Sequence, residues 1–175
     1  MGGTVLYARP FPWLLPSEVP IDVYKEYDIL TAHTPGTALA MTEENHDSID
    51  GYILGHSMLK DDVPVKVADE CRKGYYRKPS KWRQAAKERF PEVFAQIGPQ
   101  DFKFDGYHEL FDADAGLYLF KELADRDIIG KKPVLFLTVF PVGCPIQTND
   151  ALKLHLIGLP YRPEEIVNWF SKNIA

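Results

Sequence analysis

The chain has 175 residues and a net charge of −5, with 45% apolar and 13% aromatic residues, values that exclude a disordered or low-complexity protein. Its length suits a single domain, residues 1–175, large enough to bury a substantial core. Two cysteines, Cys71 and Cys144, exclude a disulfide scaffold and indicate a reducing compartment.

In chain order, "TVLYARP" is a short β-type run. "PFPWLLPSEVP" follows, with Pro10, Pro12, Pro16 and Pro20. Prolines at that density disfavour helix and sheet, and residues 8–20 are expected to form an extended arm rich in proline and aromatic side chains. "IDVYKEYDILTA" fits either a short helix or a strand, and "HTPGTA" reads as a turn. "MTEENHDSIDGYILGHSMLKDD" is polar, acidic and punctuated by glycine, which predicts a short helix with loops. "VPVKVAD" alternates like a strand.

Residues 80–97, "SKWRQAAKERFPEVFAQI", carry apolar side chains at helical spacing behind Ser80, with Pro91 kinking or restarting the helix. "DFKFDGYHELF" reads as a strand interrupted at Gly106. "AGLYLFKELADRD" is a helix with Leu119, Phe120 and Leu123 on one face, and "KPVLFLTVF" is a buried strand. "PVGCPIQTNDA" turns the chain into a further strand, "LKLHLIGL". "RPEEIVNWFSKNI" closes as a helix, with Pro163 in its first turn and Ile166, Val167, Phe170 and Ile174 as its buried stripe. The fold class is therefore α/β or α+β, a small mixed sheet flanked by helices.

From Asp112 onward, "FDADAGLYLFKELADRDIIGKKPVLFLTVFPVGCPIQTNDALKLHLIGLPYRPEEIVNWFSKNI" resembles the second half of a thioredoxin-like domain: helix, proline-led strand, hairpin, glycine, amphipathic helix. The resemblance makes Pro133 the cis-proline candidate and Gly158 the glycine after the hairpin. Carried upstream to residue 62, it places "VPVKVADECRKG" before the active-site loop. The family's redox motif is C-x-x-C, and this chain reads "CRKG", with Cys71 and then Gly74. The resemblance thus implies the scaffold without dithiol–disulfide exchange.

The charge distribution is uneven. Residues 71–90, "CRKGYYRKPSKWRQAAKERF", hold eight Lys or Arg and one acid. Arg77, Lys78, Arg83 and Lys87, with Trp82 among them, form a candidate surface for an acidic protein partner or a phosphate-bearing ligand. A solvated segment that neutralises the protein's own acids accounts for the same residues. The overall negative charge opposes general nucleic-acid binding. Trp13 anchors the arm as a second candidate contact.

For chemistry, Cys71 lies beside Arg72 and Lys73, which favour the thiolate and make it a candidate nucleophile, whereas Cys144 sits among turn residues and is expected to be inert. In "DGYHELFDAD", His108 and Asp112 would share one face of a strand as an acid–base pair. "EENHDSIDGYILGH" gathers Glu43, Glu44, His46, Asp47, Asp50 and His56 without metal-ligand spacing, and no metal or cofactor is expected. The longest apolar run, "PVLFLTVFPVGCPI", is too short to span a bilayer, so no membrane insertion is expected and the chain reads as soluble and intracellular, in the cytoplasm or within an organelle. These features favour a non-catalytic binding or assembly protein. A thiol enzyme using Cys71 and a small hydrolase or transferase using His108 stand as alternatives.

Overall fold

The computed structural model describes residues 2–9, 26–66, 110–138, 144–158 and 163–174. Strands β1 (Thr4–Ala8), β2 (Asp28–Ala32), β3 (Ile49–Gly55), β6 (Val134–Thr138) and β7 (Leu154–Gly158) form one five-stranded sheet in the order β2-β1-β3-β6-β7. Every pairing in it is parallel. Two short strands, β4 (Met58–Leu59) and β5 (Phe111–Asp112), pair antiparallel outside the main sheet. Helices α1 (Pro35–Asn45), α2 (Ala115–Asp125) and α3 (Pro163–Asn173) complete the described elements.

A parallel sheet needs both faces covered, so its central strands are apolar on both sides. The burial of β3 and β6 follows: Tyr52, Ile53, Leu54, Val134, Leu135 and Phe136 are at most 1% exposed. On one face Leu6, Ala8, Tyr52, Leu54 and Phe136 meet Ala38 of α1 and Ala115, Leu119 and Leu123 of α2. On the other, Val5, Tyr7, Ile53, Leu135, Leu137 and Ile157 meet Ile166 and Phe170 of α3. Arg126, just past α2, ties that helix to α1 through Glu43 at 2.5 Å.

The outer side of β7 is occupied by the preceding segment, since Asn149 and Leu154 exchange main-chain bonds and the Leu156 N–H donates to Thr148 Oγ1 at 3.1 Å. Covering an edge in this way blocks pairing with a foreign strand.

Several expectations change. The thioredoxin-like reading required the strands "PVLFLT" and "LHLIG" to form an antiparallel hairpin, but β6 and β7 run parallel, with Val134 opposite Leu154 and Thr138 opposite Gly158. Pro133 simply leads into β6, its carbonyl accepting from the Tyr52 N–H at 2.9 Å, and Gly158 ends β7. The sheet is parallel throughout rather than mixed. "HTPGTA" is no loop but the start of α1: Thr34 caps it and Pro35 occupies the first turn, both ordinary roles for these residues. "IDGYILG" is no loop either but the buried central strand β3. Glycine and acids at its start disguised it, and Asp50 is used there to accept from the Thr4 N–H at 2.8 Å.

The strand at "TVLYA", helix α2, strands β6 and β7 and helix α3 lie where the sequence places them. The proposed arm overlaps β1 at Ala8, which is fully buried. Residues 10–20, the helix at 80–97, the last three residues of "VPVKVAD" and most of "DFKFDGYHELF" lie outside the described residues; the described part of "VPVKVAD", residues 63–66, is not the expected strand but turns into helix at Val65 and Lys66.

Candidate functional site

The strand order makes one location special. Going from β1, the chain builds outward to β2 on one side and to β3, β6 and β7 on the other. Open α/β sheets hold ligands outside the carboxyl ends of their strands at such a reversal. The residues there are Ala8 at the end of β1 and Arg9 after it, His33 after β2, His56 after β3 and Thr138 at the end of β6.

His56 is the junction of this edge. Its N–H donates to Leu137 O at 2.8 Å, which extends the β3–β6 ladder by one residue. Its carbonyl accepts from the Gly116 N–H at 2.8 Å, satisfying one of the free donors at the start of α2. Its Nδ1 lies 2.8 Å from Thr138 Oγ1, and its ring rests against Phe136 with centroids 5.7 Å apart. Nε2 is buried without a hydrogen-bond partner among the described residues, and Asp114 Oδ1 stands 3.5 Å away. That separation exceeds a normal hydrogen bond. The close approach of α2 requires glycine at 116, because a Cβ there would sit 2.8 Å from the Gly55 carbonyl carbon and 2.9 Å from the His56 oxygen.

Hydroxyl, imidazole and carboxylate in sequence have the outline of a nucleophile, a base and an orienting acid. Here Thr138 is only 3% exposed, and its hydroxyl faces the ring from inside the sheet. The group fixes the ends of β3 and β6 against α2.

Of the residues singled out in the sequence, Asp112 is placed in β5 opposite Met58. Its Oδ1 accepts from the Asp114 N–H at 2.9 Å, so its carboxylate shapes the turn into α2. His108, its proposed partner, lies outside the described residues, as do Cys71, Arg77, Lys78, Trp82, Arg83, Lys87 and Trp13. Cys144 is 4% exposed. His46 and Asp47 follow α1, near the amino end of β3, and pair with each other at 3.0 Å. His56 lies at the other end of that seven-residue strand, about 20 Å away at strand rise. Among the described residues no three His, Cys, Asp or Glu side chains gather as a metal site. No helix among them is long and apolar enough to cross a membrane.

The sequence reading overlooked Thr138 and treated His56 as one member of a loose acidic cluster. The available signal was positional. "YILGH" ends an apolar run on a polar residue and Thr138 interrupts one in "VLFLTVF", as polar residues do where strands of a parallel sheet reach a site.

The fold is an open, doubly wound α/β sheet of the flavodoxin-like order, the order of CheY. Two solved structures are similar to it. One is the receiver domain of the hybrid histidine kinase CckA, with a TM-score of 0.51 and 14% identity, over 99% of this chain and 100% of that one. The other is the Vibrio cholerae chemotaxis protein CheY4, with a TM-score of 0.51 and 13% identity, over 99% of each chain. The likeness is one of fold: a parallel five-stranded receiver sheet, not a thioredoxin-like one. No protein-family model matches the chain, and no curated protein does.

Proposed function

We propose that this chain is a non-catalytic, protein-binding domain of a signalling kind, which recognises an acidic protein partner through its basic residues 71–90, with Arg77, Lys78, Trp82, Arg83 and Lys87 as the contact set and Trp13 as a second anchor. The observation that carries this reading is the β4/β5 stem. Met58 pairs with Asp112, Leu59 with Phe111, and the Lys60 N–H donates to Leu110 O at 3.0 Å. The stem, which begins two residues beyond His56, closes the span of chain from 61 to 109, of which residues 67–109 lie outside the described residues. Leu59 is fully buried with Val63, Val65, Leu110 and Phe111 around it, which gives the stem a small core of its own. The most basic stretch of the sequence falls within the span that this stem closes, and the stem itself lies beside the edge where this class of sheet meets its ligands. The enclosed Thr138 and the structural use of Asp112 favour binding over chemistry. The similar structures named above come from signalling proteins, which agrees in kind.

The test is binding of the full chain to a labelled polyglutamate probe over a range of salt. Affinity falls steeply with salt if exposed charge carries recognition, and Arg83→Glu with Lys87→Glu abolishes it while the fold persists. Salt-independent binding, or an unaffected double variant, removes the proposal. Unfolding of the double variant does so too, since the charges would then serve to neutralise the protein's own acids. Stronger binding to a single-stranded oligonucleotide would redirect it to nucleic acid.

A further inference from the structure

We infer that His155, Trp169 and Glu165 form a proton-operated clasp, which holds helix α3 and the segment covering the sheet edge more tightly on strand β7 when the His155 ring is charged. Strand alternation places the ring. Leu154 and Leu156 point into the core on the side of α1 and α2, and Ile157 into the core on the side of α3, so His155 shares the α3 face. There it lies flat on the Trp169 indole, with centroids 5.7 Å apart and planes 16° apart. The indole packs edge-on against Phe170 at 5.1 Å. Glu165, one turn earlier on α3, brings Oε1 to 3.9 Å from the imidazole Nε2. On the other side, Nδ1 is 3.5 Å from Thr148 Oγ1. That same oxygen accepts the Leu156 N–H at 3.1 Å and so helps to cover the edge of β7. One ring on β7 therefore meets both the helix packed on that strand and the cover of its edge.

The charge of the ring sets the strength of these contacts. In a neutral imidazole one nitrogen donates and the other accepts, whereas the charged ring donates from both. When charged it offers a proton to Thr148 on one side and to the Glu165 carboxylate on the other, and the indole face attracts it as a cation. Imidazole is the side chain that changes charge between pH 8 and pH 5. Among the described residues, Glu165 is the charged group within ion-pair distance of the ring. Glu164 and Lys172 lie at the two ends of α3, Asp150 lies in the short turn after Thr148, and Lys153, just before β7, sends Nζ to Asn173 O at 3.1 Å. Strand β6, the neighbour of β7, carries no titratable side chain. Acid therefore strengthens the clasp, and rising pH returns it to the weaker stacking of a neutral ring. A looser cover gives a foreign strand access to the main chain of β7.

The test is a double-mutant cycle on the full chain, with His155→Gln, Trp169→Leu and the two together, by urea denaturation at pH 8 and at pH 5.5. The cycle cancels the other histidines and the bulk cost of losing the indole. The coupling, as a factor in the folding equilibrium constant, is expected to be about two- to five-fold larger at pH 5.5, the size of an exposed cation–π contact. Hydrogen exchange of the Leu156 amide, corrected for its intrinsic pH dependence, is expected to show more protection at pH 5.5 than at pH 8 in the parent, a smaller gain in Glu165→Gln and none in His155→Gln. Equal coupling at the two pH values, or stronger coupling at pH 8, overturns the inference, as does a gain in Leu156 protection that persists in His155→Gln. If Trp169→Leu does not fold, the Leu156 amide in the parent and His155→Gln decides the matter, and equal protection at both pH values in the parent overturns the inference.

Discussion

His56 Nδ1 lies 2.8 Å from Thr138 Oγ1, and the pair joins the carboxyl ends of two neighbouring strands across the sheet. Thr138 is almost fully enclosed and the His56 side chain is 15% exposed, so the contact is largely shielded from water. Thr138→Val is expected to cost about 1–3 kcal/mol, the range for leaving a buried polar atom unpaired. His56→Phe with Thr138→Val, which removes both polar partners and keeps a ring against Phe136, costs less than the sum of the single changes. Urea denaturation of the four proteins in this cycle measures the coupling. Additive costs would mean that the contact contributes nothing.

Gly116→Ala tests how closely α2 approaches the end of β3. The added carbon would meet main-chain atoms of Gly55 and His56, which cannot rotate away. The helix must shift and the Gly116–His56 bond must lengthen. The expected loss is about 1–3 kcal/mol or more, as for overpacking, although alanine is the better helix former. A rise in Tm would show that the start of α2 yields freely.

Tyr52 is fully buried, and its hydroxyl has no hydrogen-bond partner among the described residues. Burial pushes its pKa up to about 12 from the usual 10.0. In the unfolded chain the phenol loses its proton near pH 10, while the folded chain retains it. This group's contribution is therefore fully present below pH 10 and lost as pH rises through about 12. Tyr52→Phe should flatten the alkaline decline in stability and be neutral or stabilising at pH 7, where it removes an unpaired hydroxyl. Denaturation curves at neutral and alkaline pH check both points. A loss of stability at neutral pH would reveal a partner for the hydroxyl.

Cys144 is buried beside Ile146 in the larger core cluster. Iodoacetamide should therefore modify it only as fast as the chain opens, whatever the rate at Cys71. Timed alkylation with mass mapping, with and without sub-denaturing urea, gives the two rates. Rapid native labelling of Cys144 would show that this wall of the core opens locally.

Phe170 on α3 is fully buried against Tyr27 and the α3-side face of the sheet. Phe170→Ala is expected to cost about 3–5 kcal/mol. Trp169, its partly exposed neighbour, stacks on His155 at 5.7 Å, and Trp169→Ala should cost clearly less. Chemical denaturation ranks the two, and a reversed order would misplace the face that α3 buries.

Local pattern alone determined a definite part of this protein. The apolar run at residues 134–138, the spacing of Leu119 and Leu123, and the acids and proline opening α3 each specify an element, because periodicity and end signals act within a few residues. Strand direction is not local. "LHLIG" pairs equally well parallel or antiparallel as a string of residues, and the thioredoxin-like resemblance rested on the antiparallel choice. Packing α3 on one face and α1 with α2 on the other decided for parallel strands. Strand β3 was hidden for a related reason: its acids and glycines are matched to partners remote in sequence, Asp50 to the Thr4 amide and Gly55 to the Leu137 position of β6. The junction at His56 and the bond from the Gly36 N–H of α1 to Asp61 Oδ1 were likewise settled by tertiary structure. Each unites residues that only the order of the strands brings together, and no spacing along the chain encodes that order.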